Sequence, residues 1–178
     1  MAQYARIFDL NSCRDLLGKL ERELVRLEYS LDRFDRADHV ANFAIWAWRL
    51  TEWVHAEIAA REPLRRRLAA ACGASVDAFD LDRFQAYVAG RQGSPALACC
   101  RAIAMAARDG ESGDPPASAV VVPLRAASGA RPGANLTEWR APQWLLSAGD
   151  GTEPVPDLEL CQVVLQFWTD FIHANHIA

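Results

Sequence analysis

Hydrophobic positions in the first third of the chain recur at intervals of three and four. Leu16, Leu17, Leu20, Leu24, Leu27 and Leu31 line one side of a predicted helix from about Cys13 to Leu31. Arg14, Lys19, Arg22, Glu23, Arg26 and Glu28 occupy the other side. Ser12 and Asp15, three residues apart, read as a capping box at its start. Acids and arginines alternate from Asp32 to Asp38, a charged connection, and Asp38 is expected to N-cap the next helix. That helix, about Asp38 to Ala60, breaks the one-stripe pattern. Phe43, Trp46, Trp48 and Trp53 are joined by Val40, Ala41, Ala44, Ile45, Ala47, Leu50, Val54, Ala56 and Ile58 around most of its circumference. A helix apolar on nearly every side belongs at the centre of a bundle.

Pro63 opens a short third helix that Gly73 closes. Asp77 is expected to cap a fourth element carrying Phe79, Leu81, Phe84, Tyr87 and Val88, ended by Gly90 and Gly93. The fifth, Ala96 to Arg108, is rich in alanine and cysteine, small enough to lie close against the tryptophans. After Asp109 the periodicity switches from helical to extended. Strands are predicted at Ser118 to Leu124, Thr137 to Arg140, Gln143 to Ala148 and Thr152 to Val155, with Pro123 marking an edge or an end. Helical spacing returns from Asp157 to about Asn175, with apolar side chains on two adjacent stripes. The expectation is a single mainly α domain over residues 1–178. Four to five helices form a bundle, with a small antiparallel β-sheet at about residues 118–155 before the C-terminal helix.

Composition narrows the setting without assigning a chemistry. The chain has 178 residues, 51% of them hydrophobic and 24% charged, which is globular composition without a run long enough to span a membrane. A net charge of −4 sets up no overall field for nucleic acid, and the basic cluster Arg65 to Arg67 reads as a solvated helix end. The start of the chain lacks the apolar stretch of a signal peptide, and the five cysteines lack Cys-x-x-Cys spacing. The expectation is a cytoplasmic protein with reduced thiols.

Candidate chemistry centres on the tryptophan-rich helix. Asn42, Arg49 and Glu52 fall within about 80° of one another on a helical wheel. Beside Trp46 and Trp53 they read either as a buried Arg–Glu pair or as a pocket for an anionic ligand, phosphate or nucleotide base. His39 and His55 are rotated by about 160° and do not converge, and His173 and His176 lie at a chain end expected to fray. Neither metal nor cofactor is expected. No Gly-x-Ser-x-Gly elbow and no phosphate loop is present. The apolar surface of the last helix, wider than one neighbour covers, predicts self-association as a homodimer, with a further protein partner open.

Two stretches, NFAIWAWRLTEWV (Asn42 to Val54) and CCRAIAMAARDG (Cys99 to Gly110), resemble a family of short bacterial and phage-associated helical proteins of uncharacterised function. Its members carry Asn-Phe followed by Ala-Trp-His-Leu-x-Asp-Trp and, later, Cys-Arg-x-Ile-Ala-Asn-Gly-x-Lys-His. Arg49 stands where that pattern has His, and Glu52 where it has Asp. The chain also resembles HEPN-like helical domains, whose nuclease members place a His four to six residues after an Arg. Arg49 with His55 and Arg33 with His39 have that spacing, followed by Leu50 and Phe34 rather than a polar residue. The first resemblance assigns no activity, and the reading of the chain is a non-enzymatic interaction or accessory protein. The second implies an RNase or toxin-related module that binds RNA or nucleotide near Arg49 and His55.

Overall fold

The computed structural model describes residues 10–108, 120–123, 144–147 and 154–177. At the start, the Ser12 hydroxyl accepts from the Asp15 backbone N–H at 3.1 Å, and the Asp15 carboxylate accepts from the Asn11 N–H at 2.9 Å. This reciprocal cap begins α1 (Cys13–Tyr29), which buries Leu16, Leu20 and Leu27 as the leucine spacing predicts. Leu31 falls beyond the end of α1 and is exposed, a departure from its expected core position.

The second helix starts five residues before the expected cap. Asp32, not Asp38, accepts from the N–H groups of Phe34 (2.7 Å) and Asp35 (3.2 Å), so α2 (Arg33–Ala59) includes most of the charged run. Its charges are tolerated because Arg33, Asp35 and Asp38 face solvent while Arg36 turns inward. At 27 residues, α2 is about 40 Å long and is the hub of the fold. It packs against α1, α3 (Glu62–Ala71), α4 (Leu81–Val88), α5 (Ala96–Arg108) and α6 (Asp157–Ala174). Small side chains bring α5 close along one flank, where Arg101 lies over the buried Trp48, its guanidinium carbon 5.7 Å from the ring centroid. Opposite the solvent face, Trp168 of α6 donates from Nε1 to the Ala47 carbonyl at 3.1 Å. An aromatic row of Phe79, Phe84, Phe171 and Trp168 then joins α4 to α6, with centroid separations of about 6 Å.

The fourth helix is capped by Asp80, which accepts from the Arg83 N–H at 2.9 Å, rather than by Asp77. Gly93 makes the turn into α5: a Cβ there would stand 2.1 Å from the Val88 carbonyl oxygen, so only glycine fits. The sheet is three-stranded and antiparallel, in the order β1 (Val120–Pro123), β2 (Trp144–Ser147), β3 (Val155–Pro156). Pro123 ends the edge strand, where a missing N–H is tolerated. The strand expected at Thr137 to Arg140 lies outside the described residues. Among the described residues there are six helices, and the architecture is the expected mainly α bundle with a small sheet before the last helix.

Two helix ends use the same closure. Gly73 and His176 both have positive φ, 66° and 52°. The next N–H returns five residues in each case, Ala74 to the Ala69 carbonyl and Ile177 to the Ile172 carbonyl. These are Schellman motifs. The second holds an end that was expected to fray: Ile177 is fully buried, Arg61 donates to the His176 carbonyl at 2.7 Å and Arg67 to Asn175 Oδ1 at 2.6 Å. Two of the α3 and pre-α3 arginines thus clamp the chain end instead of facing only solvent.

Candidate functional site

The α2 strip divides in the folded chain. Asn42 and Arg49 are exposed, while Trp46, Glu52 and Trp53 are half-buried on the same outward sector. Arg49 makes no ion pair with Glu52 among the described residues. The buried arginine of this helix is Arg36, and its partner comes from α6. His55 points to another side, since six residues of helix rotate it about 120° from Arg49. It packs against Phe79 and Phe84, with ring centroids 5.4 and 5.9 Å away, and its Nε2 is buried without a partner among the described residues. Arg33 and His39 diverge by the same rotation. Arg33 lies over Phe34 at 4.5 Å, and His39 faces α1.

Burial lowers the pKa of His55 below its ordinary 6.5, against the opposing pull of the Asp80 carboxylate and the Phe79 backbone. A histidine with a lowered folded pKa binds more protons unfolded than folded, so stability rises with pH through this range. Urea midpoints are therefore expected to fall as pH drops past 6.5 and to level off once the lowered folded value is passed. His55→Leu should flatten that part of the profile; an unchanged slope would assign it to other groups.

Sequence spacing placed Glu23 on the solvent side of α1, yet it is buried. Its Oε1 accepts from Arg26 at 2.7 Å and lies 3.6 Å from Lys19 Nζ, while Oε2 is 3.1 Å from His39 Nδ1. Lys19 also sits 5.0 Å from the Trp46 ring centroid. Two cations and an imidazole surround one buried carboxylate, which satisfies its charge and engages both oxygens, so it is not free as a general base. The signal for this cluster was the His39–Glu23 proximity across a helical hairpin, which no single-helix wheel displays.

A second ionic group closes the bundle beneath the α1–α2 turn. Arg36 donates from Nε and one terminal nitrogen to the two Asp157 oxygens, both at 2.7 Å, and from the other nitrogen to the Leu27 carbonyl at 2.8 Å. Asp157 also accepts from the N–H groups of Trp144 (3.1 Å) and Leu158 (2.7 Å). One bidentate pair thus fastens the ends of α1, α2, β2 and α6 together.

Apolar side chains follow one another around that turn. Val25 is 53% exposed, Tyr29 76%, Leu31 75% and Phe34 64%. The last helix covers most of its apolar surface: Leu160, Cys161, Val164, Trp168 and Ile172 are buried, Phe167 and Phe171 pack on the core, and Val163 is 49% exposed. Of the apolar surface expected to be uncovered on α6, Val163 remains, and the larger exposed group lies at the α1–α2 corner.

All five cysteines are free thiols. Burial pushes the Cys13 thiol up to about 12 and that of Cys161 well above its ordinary value, so neither is a nucleophile at neutral pH. Among the described residues no three His, Cys, Asp or Glu side chains converge as a metal site, and no helix is long and apolar enough to cross a membrane. No family model, curated protein or solved structure matches the chain.

Proposed function

We propose that the protein is a non-enzymatic interaction module that acts as a homodimer, a second copy docking on the apolar corner between α1 and α2. The observation that supports this most is the grouped exposure of Val25, Tyr29, Leu31 and Phe34, since monomers seldom cluster large apolar side chains on their surface. The corner rests on the buried Arg36–Asp157 pair, so little ordering would be required on docking. Charges of both signs flank it: Arg22, Arg26 and Arg33 beside Glu21, Glu28, Asp32 and Asp35. A patch of mixed sign can meet its own two-fold copy with plus against minus, whereas a partner of one sign would be opposed by part of it. Catalysis has less support, because Glu23 is fully engaged and Arg49 and His55 diverge. Five free thiols suit the reducing cytoplasm, where we place the protein.

Light scattering at high concentration is expected to give twice the chain mass of 19.7 kDa. Phe34→Asp and Tyr29→Asp should return it to the monomer mass with stability changed by no more than about 0.5 kcal/mol, because both side chains are exposed. A monomer at every concentration would refute the dimer. RNA cleavage by the wild-type protein, lost in Arg49→Ala and His55→Ala without a drop in melting temperature, would replace this reading with a nuclease.

A further inference from the structure

A groove of about 510 Å³ opens between the C-terminal end of α3, residues 70–73, and the face of α4 that carries Arg83, Ala86, Tyr87 and Gly90, continued by Arg91 and Gln92. It is a separate feature from the apolar corner. The corner is at the N-terminal end of α2, whereas α3 follows its C-terminal end. The space exists because Ala70, Ala71, Gly73, Ala86 and Gly90 carry little or no side chain, while long side chains rise at its rim.

Its charge is one-sided. No carboxylate lines the groove; of the two acids at the start of α4, Asp80 caps the helix, and Asp82, next to Arg83 in its first turn, is exposed but not part of the lining. The arginines of neighbouring α3 are engaged: Arg65 with the Val76 carbonyl, Arg66 with Glu62, Arg67 with Asn175. The guanidinium groups of Arg83 and Arg91 have no hydrogen bond or ion pair among the described residues, and neither does the Tyr87 hydroxyl. The helix dipole of α3 ends here with its negative pole, equivalent to roughly half an elementary charge, which two full positive charges exceed. Schellman bonds moreover occupy the Ala69 and Ala70 carbonyls at that end.

We infer that this groove binds a phosphate ester carrying a planar ring, a ligand of the mononucleotide type. A guanidinium fork matches phosphate oxygens in pairs, and the groove lining supplies two such forks, Arg83 and Arg91. Tyr87, half-buried on the same wall, offers a ring face for stacking above the alanine floor. The volume falls within the range of small-molecule sites.

The test is calorimetric titration of the full chain with AMP, adenosine and inorganic phosphate. AMP is expected to bind saturably and to weaken as salt is added, with adenosine and phosphate each at least about tenfold weaker. Arg83→Gln and Arg91→Gln should each weaken AMP about tenfold, the loss of one charge-assisted contact, with melting temperature unchanged because both are exposed. Tyr87→Leu should weaken AMP while leaving phosphate unaffected. Absence of saturable AMP binding at millimolar concentration overturns the inference, as does binding that survives the double arginine substitution. Phosphate binding as tightly as AMP overturns it too, because the ring then contributes nothing. None of these outcomes depends on the dimer, whose test is mass and whose variants lie at the opposite end of α2.

Discussion

Replacing either Arg36 or Asp157 by alanine is expected to destabilise the protein by about 3–5 kcal/mol, the usual cost of leaving one member of a buried ion pair uncompensated. Both side chains are almost wholly excluded from solvent, and the pair is bidentate at 2.7 Å. Each partner also has backbone obligations. Without Arg36 the Leu27 carbonyl at the end of α1 keeps only the Ser30 N–H at 3.3 Å, and without Asp157 the Trp144 N–H loses its acceptor. For a chain of this size the loss should lower the melting temperature by roughly 10 °C. The double variant Arg36→Met, Asp157→Leu should be less destabilised than the sum of the single alanine changes, since no charge is then stranded. It should not regain wild-type stability, because the Trp144 N–H stays unpaired, at about 1–3 kcal/mol, and the Leu27 carbonyl keeps only its long bond from Ser30. Urea unfolding of all three decides the matter. A single substitution that cost less than about 1 kcal/mol would mean that water reaches the pair and that the four chain segments are held by apolar packing alone.

That pair also marks where the sequence stops being readable. Arg36 sits in a run of alternating acids and arginines, and local charge balance makes such a run look solvated. Its partner is 121 residues away, and nothing in a window of helical length links the two. For the same reason one of the two readings of Arg49 was a buried pair with Glu52, one turn on; the local partner was visible and the distant one was not. Leu31 shows the complementary failure, because it continues the leucine spacing of α1 by arithmetic although the helix has already ended. At the C-terminus, His176 occupies the left-handed position that a glycine signals in α3, so a closed and anchored helix end was read as a frayed one. What the spacing did carry was the helical order, the central role of α2, the close approach of α5 and the change to strands after α5. Those features depend on burial periodicity within each element. The candidate sites depend on which elements meet, and the α3–α4 groove in particular is defined by small residues that carry no signal of their own.

The second large effect is expected at Trp168, the largest wholly buried side chain among the described residues. It fills the space between α6 and the hub helix, donates to the Ala47 carbonyl at 3.1 Å, and meets Phe167 and Phe171 at 5.2 and 5.9 Å between ring centroids. Truncation to alanine removes the indole's transfer free energy and leaves a cavity in a bundle whose backbone cannot collapse to fill it, at about 3–5 kcal/mol. Trp168→Phe keeps most of the volume but forfeits the hydrogen bond and part of the packing, and should cost about 1–2 kcal/mol. Trp46 provides the control. It is half-buried under Lys19 at the edge of the outward strip, so Trp46→Phe should change stability by less than about 1 kcal/mol. Chemical denaturation followed by far-ultraviolet circular dichroism, a signal that does not depend on the tryptophans being removed, orders the three variants. If Trp168→Phe proved as damaging as Trp168→Ala, the indole N–H rather than its volume would hold α6 to α2. If Trp46→Phe proved the worst of the three, the centre of the bundle would lie on the α1 side of the hub rather than beneath α6.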